Sequence, residues 1–394
     1  MERTVKKKSS FNVNNSGWAL AGTVTAIIIV TFAIEIISVL EGLIGGGFEN
    51  LNNNVSNQNY DTLSEWLSLI APQIVFIYFA FFFARRYEID YTQAFKFNLK
   101  LPVIIVIACA VIVFSSIYFV ETVHYFTYSA IPGLNDMAEK LSSTFAFNEP
   151  WKMALGTIII GFAPAIGEEL IFRGVVLNGL AYKNKILAIF GSAFFFALMH
   201  ANPVQFLYPF FIGIIMAYMD IVANSILPSM IIHCINNTFS MFQSYFSFSI
   251  NANFAMMITM GIIGLLLLAA TLVFVFYYYM RMLEKSGIVF EKGLENILSK
   301  MYCDYCLFRT SKNKSDLTLI VSESADIEIK KENGEKISEN GENTQKDKII
   351  QNADDIDSII EMERRKKANR FFGYYIATGI LVLEFIYVTV MLVI

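Results

Sequence analysis

Nine stretches of this chain are apolar and nearly free of charge, most of them about as long as a membrane crossing. A spanning helix needs roughly 20 such residues. The runs cover about 18–46, 63–84, 101–120, 152–181, 185–201, 204–222, 225–247, 254–282 and 370–394. Charged residues are only 16% of the chain, where a soluble domain carries about 25%. The expected fold is all-α, a polytopic transmembrane helical bundle of about eight or nine spans.

Lysine and arginine in short loops set the orientation. Arg3, Lys6, Lys7 and Lys8 place the 1–17 tail in the cytoplasm, and Arg85, Arg86, Lys96, Lys100, Lys183 and Lys185 suit inside loops. Loop 49–62 has no Lys or Arg and loop 121–150 has only Lys140, as outside loops should. Nine spans then leave the C-terminus outside. The opening "MERTVKKKSSFNVNNSGW" does not fit a cleaved signal. Its polar lead is long, and the run that follows exceeds the roughly 7–15 residues of a signal core.

Residues 284–369 break the pattern. They are polar and mixed in charge, and 325–350 has the composition of a flexible segment. "DIDSIIEMERRKKANRF" reads as an amphipathic helix whose basic cluster stops at the anionic inner leaflet. The chain therefore divides into the tail 1–17, three spans within 18–120, a core at 150–247, a span at 254–282, a cytoplasmic insert at 284–369 and a last span at 370–394. A net charge of −4 gives no sign of a nucleic-acid partner. Cys109 and Cys234 lie in apolar runs, where cysteine packs as a small hydrophobe. Cys303 and Cys306 form a lone CxxC, a weak metal or redox signal.

The stretch "APAIGEELIFRG", 163–174, puts three charges where lipid should be. Ionisable residues inside spans are costly and mark functional sites when partners exist. Glu169 and Arg173 are four apart and share a helix face, so they can pair. Glu168 points about 100° away and stays available for something else. Pro164 removes a helix hydrogen bond, which neighbouring groups can replace, while Gly161 and Gly167 add room. The plainer reading is an ion pair that only fixes helix packing.

Two further pieces follow. "FALMH" sets Phe196 and His200 on one helix face, and "HCINN" sets His233 one turn before Asn237. A histidine at a span end is more often a satisfied packing residue than a ligand, and His with Asn often serve as hydrogen-bonded glue between helices. Together the three pieces hold two carboxylates, an arginine, two histidines and an asparagine. Such a set can activate water. A carboxylate takes the proton, a histidine helps hold the water, and His and Asn donors stabilise the oxyanion formed on an amide. Glu35 and Glu384 lie in spans without named partners and are expected to face the interior or to be protonated; His124, in an outside loop, has no assigned role.

E-E-x-x-x-R, F-x-x-x-H and H-x-x-x-N, in that order and each on an apolar run, resemble the CPBP or Abi family of intramembrane endopeptidases. That family includes the type II CAAX prenyl proteases. The resemblance covers about 150–245 and implies a helical core around a water-filled cavity. It implies Glu168 as general base, His200 as the holder of the water, His233 and Asn237 as the oxyanion site, and Glu169 with Arg173 as a supporting pair. It also implies a membrane-associated peptide or protein as substrate, in contact with the bilayer. No residue identifies a prenyl-binding site.

No cofactor is the favoured expectation. The alternative is zinc on Glu168, His200 and His233, since three such ligands leave an open position. H-E-x-x-H and G-x-S-x-G are absent, and no aspartate sits in a G-x-G-D setting; Asp220 is the acidic residue near the end of the sixth run. Two other functions use the same residues: a non-catalytic immunity or scaffolding protein of this fold, and an ion or proton pathway. The expected orientation sets His200 near the outer end of its span, with Glu168 and His233 nearer mid-depth.

Overall fold

The computed structural model describes residues 11–46, 63–97, 101–131, 133–138, 149–246, 254–285, 287–288, 293–302 and 371–393. The chain divides into two units, 305–369 and the remainder, and every described residue belongs to the latter. The described residues form helices and turns, with no strand among them. The lone CxxC, the 325–350 stretch and the basic amphipathic segment lie outside the described residues.

Each of the nine apolar runs coincides with a helix. In chain order the helices are α1 Val13–Gly46, α2 Leu63–Arg86, α3 Tyr91–Phe95, α4 Val103–Ala130, α5 Pro150–Ala181, α6 Lys185–Leu198, α7 Leu207–Ala223, α8 Leu227–Tyr245, α9 Phe254–Lys285, α10 Leu294–Met301 and α11 Phe372–Val393. Among them, α1, α2, α4, α5, α9 and α11 are long and apolar enough to cross a membrane. That is six candidate spans against the eight or nine expected. The difference lies in the core: α6 and α7 are apolar but short, and α8 carries His, Asn, Ser and Gln along its length.

The centre of the bundle is α5. Every residue from Glu169 to Ala181 is buried. It packs against α2, α6 and α8, while α1 pairs with α2 and α11, α6 with α7, and α4 with α9. Two π-helical stretches, Thr157–Phe162 and Leu170–Leu177, flank the α-helical segment Ala163–Glu169. Such local unwinding recurs at functional sites.

Three expectations need correction. His124 is on α4 and not in a loop, because the apolar and aromatic run continues past Glu121 to Ala130. Glu35 is exposed on α1, and only Glu384 is partly covered. His200 lies beyond the end of α6, so it shares no helix face with Phe196. The polar region after α9 also adds to the core: Leu298, Met301 and Tyr302 are buried, because Leu294, Ile297, Leu298 and Met301 repeat at helical spacing and give α10 an apolar face. From α10, the Glu295 carboxylate accepts the backbone N–H groups of Lys185 (2.9 Å) and Ile186 (3.3 Å), which the first turn of α6 leaves unpaired.

Candidate active site

The two adjacent glutamates separate as their helical spacing requires. Glu169 is fully buried, and its Oε1 accepts Arg173 Nη1 at 3.1 Å and His233 Nδ1 at 2.7 Å. Arg173 also donates from Nη2 to Gly213 O at 3.4 Å and lies 4.5 Å from the centre of the Phe196 ring. A guanidinium over an aromatic face gains cation–π attraction, and more so away from water. Glu168 faces elsewhere. Its Oε1 accepts Gln73 Nε2 at 3.2 Å, and its Oε2 stands 3.9 Å from His233 Nε2. The Glu168 side chain keeps 17% of its surface exposed, where Glu169 keeps none.

Gln73 reaches Glu168 because α2 passes close to α5 at Gly167. A Cβ there would stand 3.0 Å from Gln73 Oε1 and 3.2 Å from Gln73 O. At Gly161, a Cβ would stand 2.7 Å from Thr238 Oγ1, so the missing side chain lets α8 approach. Pro164 has no N–H for Ile160 O, four residues before it. Asn237 Nδ2 donates to that carbonyl at 2.9 Å.

The imidazole of His200 folds back over the end of α6, with Nδ1 3.0 Å from Phe196 O. A carbonyl only accepts, so Nδ1 carries the proton and Nε2 is left open. His233 is oriented likewise, since Nδ1 faces a carboxylate already paired with Arg173. Phe196 gathers these groups: its ring meets Phe172 at 5.4 Å, His200 at 5.2 Å and His233 at 5.6 Å, all near-perpendicular. Glu168, Glu169, Arg173 and His233 meet directly, His200 joins them through the Phe196 ring, and Asn237 lies one turn beyond His233 on α8.

Residues 150–239 match the family model described as type II CAAX prenyl endopeptidase Rce1-like. Over those residues the chain is similar to the CAAX protease-like family. At the level of that family the match implies a membrane protease, and with six candidate spans the chain is an integral, multi-pass membrane protein. An uncharacterized protein of Mycoplasma capricolum subsp. capricolum is 28% identical over 176 residues, covering 43% of this chain and 50% of the relative. The chain spans about half the length of the curated relative it matches. No solved structure matches.

The zinc arrangement has a geometric requirement: three ligands converging on one point. Among the described residues no three His, Cys, Asp or Glu side chains are grouped to hold a metal ion, so Glu168, His200 and His233 do not form such a set.

Sequence reasoning missed three contributors. Gln73 was visible as a polar residue inside an apolar run, next to Pro72. Asp220 is buried, and its Oδ1 accepts Ser229 N at 2.9 Å at the start of α8, the helix that carries His233 and Asn237. Tyr208, at the start of α7, donates its hydroxyl proton to Asn236 Oδ1. Neither Asp220 nor Tyr208 belongs to a motif, and only the packing of α7 against α8 gives them their partners.

Proposed function

We propose that this protein is an intramembrane endopeptidase that hydrolyses a peptide bond of a membrane-associated protein or peptide with water activated by Glu168 and His200. One observation carries the reading. Of two adjacent glutamates, Glu169 is committed to Arg173 and His233, while Glu168 is partly accessible and faces His233. A structural ion pair needs only the first.

The open acceptors define the chemistry. A water between Glu168 and the free Nε2 of His200 donates one proton to each and turns a lone pair outward. Glu168 removes one proton as the oxygen attacks the carbonyl carbon of the substrate. The oxyanion that forms takes hydrogen bonds from Asn237 Nδ2 and His233 Nε2. His233 Nδ1 is held by Glu169, so Nε2 is the nitrogen it turns to the oxyanion. The tetrahedral intermediate collapses when Glu168 returns its proton to the leaving amine nitrogen. The products are a carboxylic acid and an amine, and every step runs through this chain's own groups.

The test is purified full-length protein in vesicles with a panel of membrane-tethered peptides, with and without chelator. Cleavage is expected, unchanged by chelator and reduced at least a hundredfold, about the cost of losing a general base, in Glu168→Gln and in His200→Ala, both with unaltered thermal melting. Full activity in Glu168→Gln removes that residue from the mechanism. A wild-type chain that folds and cleaves none of the panel favours the scaffolding alternative.

A further inference from the structure

The carboxamide of Asn237 has one permitted orientation. Its Nδ2 lies 2.9 Å from Ile160 O, and a backbone carbonyl only accepts, so the nitrogen must face it. Its Oδ1 then receives Asn236 Nδ2 at 3.2 Å. That leaves Asn236 Oδ1 as an acceptor, and the Tyr208 hydroxyl donates to it. The chain Tyr208–Asn236–Asn237–Ile160 therefore runs in a single direction, from α7 through α8 to the carbonyl four residues before Pro164. The hydroxyl end is held by rings: Tyr208 stands edge-on to His124 at 6.3 Å, and His124 stacks on Tyr128 at 5.2 Å.

We propose that Tyr208 and Asn236 are positioning residues that set the plane of the Asn237 amide, so that its second Nδ2 proton points at the developing oxyanion. The inference rests on the reading of Asn237 as an oxyanion donor. One contact, to Ile160 O, fixes the direction of the amide and leaves it free to swing about that axis. The second contact, at Oδ1, fixes the plane. Donation into Oδ1 also draws electron density from the amide nitrogen, and chains of hydrogen bonds strengthen one another in this way. Oxyanion donors act by being aimed before charge develops. Asn236 is thus more than a neighbour of the H-x-x-x-N motif, and Tyr208 enters the site through it.

The experiment compares Tyr208→Phe and Asn236→Leu in the wild-type chain and in an Asn237→Ala background, using the full-length protein in vesicles. In the wild-type background each substitution lowers kcat about tenfold with KM nearly unchanged, the size of loss that follows when a catalytic group is misplaced and not removed. In the Asn237→Ala background neither lowers kcat further. A purely structural role would carry the same loss into that background, and that result overturns the proposal. Thermal melting of the Asn236→Leu and Asn237→Ala single and double variants gives a reading independent of activity. The two substitutions should be non-additive, and additive melting shifts overturn the proposal as well. A chain that cleaves nothing yet shows this coupling removes the peptidase reading and keeps the relay.

Discussion

His233 gives its Nδ1 proton to Glu169 across 2.7 Å, and the same carboxylate oxygen holds Arg173 at 3.1 Å. One buried oxygen thus ties the E-E-x-x-x-R segment of α5 to the H-x-x-x-N segment of α8. The tie leaves His233 Nε2 facing Glu168, 3.9 Å away. The second glutamate of the pair orients the histidine that the first one faces.

Removing either member of that tie strands the other in the core. Arg173→Ala leaves Glu169 buried without its cation, and Glu169→Gln leaves Arg173 without its anion. Each should cost about 3–5 kcal/mol of stability, the usual penalty for an uncompensated buried charge. Arg173→Lys should not restore the wild type, because an ammonium cannot serve Glu169 and Gly213 O together while lying flat on Phe196. Thermal melting in detergent measures all three. Wild-type melting in Arg173→Ala would refute the supporting-pair role.

Gln73 is the one contact made to Glu168 from α2, at 3.2 Å, among the described hydrogen bonds. Gln73→Leu removes a donor from Glu168, so kcat should fall about tenfold and stability by about 1.5–3 kcal/mol, the usual worth of a hydrogen bond to a charged group. Gln73→Glu should lose more, because it sets a second carboxylate against the first, and like charges at that spacing resist joint ionisation. The order of kcat, wild type above Leu above Glu, is the readout. Equal rates in all three would detach Gln73 from the site.

The last helix also makes a specific prediction. A Cβ on Gly373 would lie 2.3 Å from Gly17 C and 2.4 Å from Trp18 N, so α11 meets α1 backbone to backbone. Tyr374 Oη donates to Ser16 Oγ at 2.8 Å beside that crossing. Gly373→Ala must push the helices apart and should cost at least about 2 kcal/mol, as overpacking of a tight contact does. Gly379 has nothing within 4 Å of its Cβ position. Gly379→Ala should therefore be neutral or raise stability by up to about 1 kcal/mol through helix propensity. Melting curves of the two variants supply the comparison, and equal shifts would contradict the close crossing.

Much of this protein follows from local sequence. The apolar runs dictate helices, since lipid and a crowded helical core both demand internally satisfied backbone. Four-residue spacing pairs Glu169 with Arg173 and turns Glu168 away, because that follows from helix geometry alone. The loss of a donor at Pro164 is also legible, since proline has no N–H to give. The partner of Ile160 O was decided by packing. Asn237 reaches it because Gly161 admits α8, and nothing near Pro164 in the sequence names Asn237. Likewise Gln73 meets Glu168 only because α2 crosses at Gly167, and His200 joins the site from beyond its helix because α6 is short. Periodicity and the cost of a charge in lipid are properties of neighbours along the chain. A hydrogen-bond partner on another helix depends on register, crossing and close approach, and these exist only once the helices have packed.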